Sequence, residues 1–326
     1  MKYGPLGRSG LIVSRICLGG NSWGAKGRRG WGKFDEAEAP HYFRRALDVG
    51  INFFDTADVY NAGRSEEIMG ATLMKMAKRE DIVIATKVGV RMSPSQNDQG
   101  TGRKHLMSAI DDQLKRLQTD YIDVYLVHRL DSYTPIEETM YTLDQIVRSG
   151  KVRYIGGSTM PAYKFAQMCM LAGWKGYAKP IAMQNLYNLI AREEEKEMNP
   201  LCLEQGVGLI PYSPLARGFL AANRSKEGGG ATERSKNDVN VKPDSYRDCD
   251  WEIAERLKKV AAGKNCSPAQ AALAWMLSKP YMAAPIIGAT SLDQLTSAAQ
   301  ATEVTLTVDD IKSLEEPYQF RVPAAN

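Results

Sequence analysis

The chain has 326 residues, 44% of them apolar and 25% charged, with a net charge of +4 at pH 7. This is the composition of a globular protein large enough to bury its own core, and a weak, scattered basicity argues against a nucleic-acid partner, which usually meets a basic stripe. Five widely spaced cysteines without a Cys-x-x-Cys pair read as reduced thiols in a cytoplasmic protein. Three separated histidines argue against a His-rich metal site. The N-terminus has no apolar signal core, and no apolar run has the length of a membrane span.

In chain order, a hairpin is expected over residues 3–14. Short apolar segments rich in β-branched residues follow at 15–20 (RICLGG), 51–56 (INFFDT), 81–87 (DIVIATK) and 122–128 (IDVYLVH). They continue at 152–158 (VRYIGGS), 181–184 (IAMQ), 207–213 (VGLIPYS) and 284–290 (APIIGAT), making eight. Helical periodicity lies between them. Ala39, Phe43, Ala46 and Leu47 form one apolar face, Leu106, Ile110, Leu114 and Leu117 a second, and Ile136, Met140, Leu143 and Val147 a third. Gly50, Gly150 and Gly173 mark helix C-termini, and Ser267–Pro268 marks a helix start. Strands alternating with helices predict a parallel sheet covered by helices. Eight such units predict a (β/α)8 TIM barrel with an N-terminal hairpin, one domain over residues 1–326. Two segments interrupt the rhythm, residues 21–34 and 216–250. Both follow strands, so both become long loops on the C-terminal face, where barrels carry their sites.

Polar side chains stand at the ends of seven of these strands: Asp55, Lys87, His128, Ser158, Gln184, Tyr212–Ser213 and Thr290. Any one of them is an ordinary loop starter; in a barrel all converge on one mouth. Asp55, Tyr60, Lys87 and His128 together suit carbonyl reduction, because hydride addition to C=O creates an alkoxide that needs a proton. A free tyrosine is a weak acid near neutrality, and a neighbouring ammonium favours its phenolate. The expected roles are therefore Tyr60 as general acid, Lys87 as the group that tunes it, and Asp55 as the counter-charge of Lys87. His128 would orient or polarise the carbonyl. Asp58 has no place in this scheme beyond capping the turn. Trp23 and Trp31 on the first long loop, Val88 and Arg129 beside the polar strand ends, and Tyr187 are candidate substrate-pocket walls. Arg129 would favour a polar or anionic substrate group unless Asp131 pairs with it.

Other nucleotide-binding patterns fail on their own terms. GGNSWGAKG at 19–27 follows a strand but opens into no helical periodicity, so it is not a dinucleotide fingerprint, and Ala25 before Lys26 breaks a P-loop. No Tyr-x-x-x-Lys occurs.

At these residues the chain resembles the aldo-keto reductase superfamily. GINFFDTADVYNAGRSEEIMG is similar to the segment with the family's Asp and Tyr, IVIATKV to its lysine segment, and DYIDVYLVHRLD to its histidine segment. GKVRYIGGST, MQNLYNLI, GLIPYSPLARGFL and IIGATSLDQL match the cofactor-binding segments in order. IEETMYTLDQIVRSGKVRYIG and the EEPY near the C-terminus are most similar to microbial members related to aryl-alcohol dehydrogenases and to potassium-channel β subunits. The resemblance implies an NADP(H)-dependent reductase acting reversibly on small aldehydes, ketones and alcohols, with room for a homo-oligomer. It implies that Ser158 and Gln184 bond the nicotinamide carboxamide and that Tyr212 stacks on the ring. Ser213, Leu215, Arg217 and Gly218 would line the pyrophosphate, and Gly288, Thr290, Ser291 and Gln294 the adenosine end. Three departures leave NAD(H) open. Thr159 replaces a common asparagine, Ser291 a common Lys or Arg at the 2′-phosphate, and Ala298 a common asparagine at the adenine, with Arg234 or Lys236 as candidate replacement cations. The alternative is a nucleotide-binding, redox-sensing regulatory subunit of the channel β kind.

Overall fold

The computed structural model describes residues 1–24, 36–226 and 245–321, with Thr232, Asp238 and Val241. Trp31, Arg234 and Lys236 lie outside the described residues.

Strands β1 (Tyr3–Pro5) and β2 (Ile12–Ser14) form the expected antiparallel hairpin. The remaining strands are β3 (Cys17–Gly19), β4 (Phe53–Asp55), β5 (Val83–Val88), β6 (Ile122–Val127), β7 (Val152–Ser158), β8 (Pro180–Gln184), β9 (Gly208–Leu209) and β10 (Ile286–Ile287). All eight pair in parallel in the order β10-β3-β4-β5-β6-β7-β8-β9. The two edge strands meet through the bonds Ala283 N–H to Leu209 C=O and Ile286 N–H to Pro211 C=O, each 2.9 Å. This is the (β/α)8 barrel that the alternation predicts.

The helices are α1 (Ala39–Asp48), α2 (Arg64–Met76), α3 (Arg103–Leu117), α4 (Ile136–Arg148), α5 (Ala162–Lys175), α6 (Met198–Gln205), α7 (Asp248–Gly263), α8 (Pro268–Leu277), α9 (Leu292–Gln300) and α10 (Val308–Glu315). Ser267 caps α8 by accepting the N–H of Gln270, with Pro268 in its first turn. One expected terminus moves. Helix α5 runs through Gly173 to Lys175 and ends at Gly176, which takes the left-handed φ of 68°. A glycine inside a helix costs only about 1 kcal/mol, so Gly173 does not stop a helix whose neighbours Leu171 and Ala172 remain buried.

Strand parity divides the apolar residues into two layers. Cys17, Phe53, Val83, Ala85, Val124, Leu126, Ala182, Ile210 and Ile286 pack together inside the barrel, with Leu6 and Val13 of the hairpin beneath them. Leu18, Phe54, Ile84, Val88, Tyr125, Val127, Ile155 and Met183 pack outward against the helices. This parity decides what reaches the mouth.

Candidate active site

The polar strand ends fall on the inward parity. Asp55 lies two residues beyond Phe53, Lys87 beyond Ala85, His128 beyond Leu126, and Gln184 beyond Ala182. Ser158 lies two beyond Gly156, where a Cβ would sit 2.4 Å from the Ala182 carbonyl oxygen and 2.5 Å from a Leu126 methyl. Glycine at 156 thus lets the strands close beneath the site. The side chains at the mouth are the next layer of the barrel interior, changed from apolar to polar.

Lys87 is fully buried. Its Nζ donates to Asp55 Oδ2 at 2.8 Å, to the Thr56 carbonyl at 2.6 Å and to Tyr60 Oη at 3.2 Å. All three protons of an ammonium are therefore directed. Burial works against that charge, but Asp55 and then Tyr60 more than offset it, holding Lys87 above the usual lysine range. Burial pushes the Asp55 carboxyl up, while Lys87 and Gln184 pull it back. Gln184 Nε2 donates to Asp55 Oδ1 at 2.8 Å, so both carboxylate oxygens are occupied and the Gln184 amide has a fixed sense. A buried charge pair persists only when its remaining hydrogen-bonding capacity is met, and here it is.

Tyr60 rides on a tight turn after β4. Its N–H donates to Ala57 C=O, and its own carbonyl accepts from Ser65. Asn61, Ala62 and Gly63 then take φ values of 52°, 55° and 89° in succession, and this left-handed run turns the chain sharply into α2. The Tyr60 and His128 rings meet edge to face at 5.8 Å. Burial, then the charges of Lys87 and Arg129, lower the His128 pKa to about 3, so near neutrality it is an uncharged imidazole. Its Nδ1 is buried without a partner among the described residues.

Ser158 and Gln184 are almost fully buried at the paired ends of β7 and β8. Ser158 Oγ lies 3.2 Å from Thr159 Oγ1, and Thr159 N–H donates to Gln184 C=O at 3.0 Å. Thr159 has φ 43°. Tyr212 is tied by its N–H to Asn185 C=O at 3.0 Å, and Ser213 C=O accepts from Asn188 Nδ2 at 2.9 Å. Leu215 precedes a further left-handed stretch, Ala216, Arg217 and Gly218 at 46°, 58° and 91°. The Ala216 and Gly218 N–H groups in this stretch donate to the Ser213 and Leu215 carbonyls at 3.0 and 2.9 Å. The Arg217 guanidinium is held on both Asp238 oxygens at 3.1 and 3.0 Å. Gly288 leaves open space where a Cβ would be. Thr290 N–H donates to Gln294 Oε1 at 2.7 Å, and Ser291 precedes α9 exposed, with no side-chain cap bond. These residues fit a nicotinamide dinucleotide in chemistry: a hydroxyl and an oriented amide at the barrel mouth, an arginine on the loop after β9, and a glycine with open space at its Cβ position.

Three expected wall residues are corrected. Val88 is fully buried on the outward parity, one residue past Lys87, and packs against the helices. Trp23 is buried, with its ring stacked on Phe43 at 5.1 Å. Tyr187 is also buried, stacked on Trp275 with its hydroxyl bonded to Glu195 and near Tyr281. Arg129 remains at the surface, and its guanidinium donates to Thr159 C=O at 3.3 Å. Asp131 does not pair with it; its oxygens accept from Thr101, Tyr133 and Thr134.

A buried network behind the site is absent from the expectations. Glu66 accepts from Thr86 at 2.6 Å, Gln113 at 2.8 Å and Arg116 at 2.7 Å. Gln113 also donates to the Lys87 carbonyl at 3.0 Å and accepts from Tyr125 at 2.7 Å. A signal was present: Gln113 continues the apolar spacing Leu106, Ile110, Leu117, where a polar residue is out of place.

Fold and site define a class: a (β/α)8 barrel whose mouth carries a buried lysine–carboxylate pair beneath a tyrosine. The aldo/keto reductase family matches residues 15–319, and the chain belongs to it. A Schizosaccharomyces pombe protein named for aryl-alcohol dehydrogenase is 42% identical over 97% of this chain and 95% of its own length. The versiconal hemiacetal acetate reductase of Aspergillus parasiticus is 41% identical, covering 98% and 97%. An Oryza sativa subsp. japonica protein named for a voltage-gated potassium channel β subunit is 35% identical, covering 98% of each chain. The chain is an oxidoreductase of a family that generally uses nicotinamide cofactors. Among the described residues no helix is long and apolar enough to cross a membrane, no cluster is suited to a metal ion, and all five cysteines are free.

Proposed function

We propose that the protein reversibly reduces aldehydes or ketones to alcohols, with Tyr60 as proton donor and NADP(H) as the usual cofactor. The observation that carries this is the directed ammonium of Lys87, which touches Asp55, the Thr56 carbonyl and Tyr60 Oη at once. A reduced nicotinamide, when held by the residues named below, would supply the hydride that the carbonyl carbon takes up. The protein's own task is to stabilise and protonate the oxygen that this step makes negative. Lys87 lowers the cost of placing negative charge on the phenol, so Tyr60 gives up its proton more readily than a free tyrosine. Asp55 and Gln184 keep Lys87 from turning away. His128, uncharged, donates a hydrogen bond to the carbonyl oxygen and needs no proton from solvent to do so.

Ser158 and Gln184 would hold the carboxamide and Tyr212 the ring. Ser213, Leu215, Arg217 and Gly218 would follow the pyrophosphate. Gly288, Thr290, Ser291 and Gln294 would meet the adenosine ribose, and the lack of a basic side chain at Ser291 leaves NAD(H) use open. Arg129, free of Asp131, would favour substrates with a polar or anionic substituent near the carbonyl. Reductase and dehydrogenase names among the relatives support turnover over a purely regulatory role.

The test mixes the protein with NADPH or NADH and a panel of aromatic and aliphatic aldehydes and ketones, following the nicotinamide absorbance. Carbonyl-dependent oxidation of at least one cofactor is expected. Tight cofactor binding without turnover across the panel would overturn the enzymatic reading.

A further inference from the structure

Asp58 is the acid of the Asp55–Tyr60 segment to which proton transfer gives no task. It is 1% exposed. Its N–H donates to the Lys87 carbonyl at 3.2 Å, the same carbonyl that accepts from Gln113. Its Oδ1 accepts the Val59 N–H at 2.5 Å, one residue before Tyr60. The Asp58 backbone therefore ties the turn to the strand that carries Lys87, and its side chain braces the turn itself one residue before Tyr60. Its Oδ2 is buried with no hydrogen-bond partner among the described residues.

The surroundings argue about its charge. Helix α2 presents Glu66, α3 presents Arg116, β5 brings Lys87 and β6 the Tyr125 hydroxyl. Arg116 is bound to Glu66 at 2.7 Å, and Lys87 to Asp55 at 2.8 Å. Both cations are thus taken by other carboxylates, and the buried acid left without an ion-pair partner among the described residues is Asp58. A buried carboxylate with one unpaired oxygen is strongly disfavoured against the neutral acid, and a second carboxylate nearby disfavours it further.

We infer that Asp58 is a positioning residue for Tyr60 that works as an uncharged acid, bracing the Tyr60 turn by filling its buried site and accepting the Val59 N–H. The inference rests on Tyr60 being the proton donor. Burial first, and Glu66 second, also hold the Asp58 carboxyl well above the usual carboxylate range.

The test compares wild type, Asp58→Asn, Asp58→Ala and Tyr60→Phe in kcat, its pH profile, cofactor Kd and the infrared carbonyl region. At pH 7 the wild type should show the C=O stretch of a buried carboxylic acid, absent from Asp58→Asn. Asp58→Asn should keep kcat within about 2-fold with an unchanged pH profile. Asp58→Ala should lose kcat by about 10-fold or more, as a misplaced reacting group does, while cofactor Kd stays within about 2-fold. Absence of the acid band, or an Asp58→Asn variant with lowered kcat or a shifted pH profile, overturns the uncharged role. An Asp58→Ala variant with wild-type kcat overturns the positioning role. Near-normal turnover by Tyr60→Phe points instead to failure of the underlying proton-donor reading. Should Asp58→Ala not fold, the infrared band and the Asp58→Asn kinetics still decide the matter.

Discussion

Thr159 is a β-branched residue at φ 43°, in a region that such side chains rarely enter and that asparagine tolerates. Its N–H and C=O are both engaged, by Gln184 and Arg129 respectively, so the surroundings impose the conformation. Asparagine would suit this backbone better than threonine before it met any cofactor. Thr159→Asn should therefore stabilise the protein by about 1 kcal/mol and, on the proposed reading, tighten cofactor binding. Thermal unfolding with and without cofactor checks this, and an unchanged or lower Tm for the variant would show that no strain is relieved. Nothing in the sequence told of this strain, because a φ angle depends on neighbours far along the chain. Asp55, Lys87 and His128 were legible for the opposite reason: an ionisable residue that closes an apolar run is visible in one dimension.

At the scale of elements, the site depends on how β5 is held from both faces. Asp55 and Tyr60 grip Lys87 from the mouth, while Glu66 on α2 and Gln113 and Arg116 on α3 grip the strand from behind. Removing one partner of a buried ionic network leaves the others uncompensated. Glu66→Ala should cost about 3–5 kcal/mol of stability and lower kcat more than cofactor affinity, because Lys87 loses its rear support. Chemical denaturation together with steady-state kinetics tests this, and a variant within about 0.5 kcal/mol of wild type would show the network to be incidental. Element positions were readable from periodicity and from glycine and proline signals, with the end of α5 displaced from Gly173 to Gly176. Val88 leaves the pocket because adjacency to Lys87 along a strand is not proximity to its side chain. In a strand the next residue faces the other way, and the layer containing Ala85 and Lys87 excludes it. Trp23 and Tyr187 were misplaced because a large aromatic on a loop can fold back onto the core, and the partners that draw it there, Phe43 and Trp275, come from distant segments.

For the molecule as a whole, eight strand–helix units join four strand ends at the mouth: Asp55 bonds Lys87 and Gln184, and Tyr60, on the turn after Asp55, meets His128. The hairpin residues Leu6 and Val13 fill the opposite end, so the polar layer at the mouth rests on a packed apolar column. The barrel was legible because its repeat is local. The Asp55–Lys87 pair is expected from two strands that end in opposite charges, but the bond from Gln184 to Asp55, 129 residues away, is a consequence of closure that no local pattern states. The central claim is that this closure aims a lysine-activated tyrosine at a substrate carbonyl. Turnover of Tyr60→Phe, with cofactor Kd determined on the same preparation, tests it most directly. The account predicts a fall in kcat of about 10²–10⁴-fold with cofactor affinity unchanged; a variant that reduces carbonyls at near wild-type rate would contradict it.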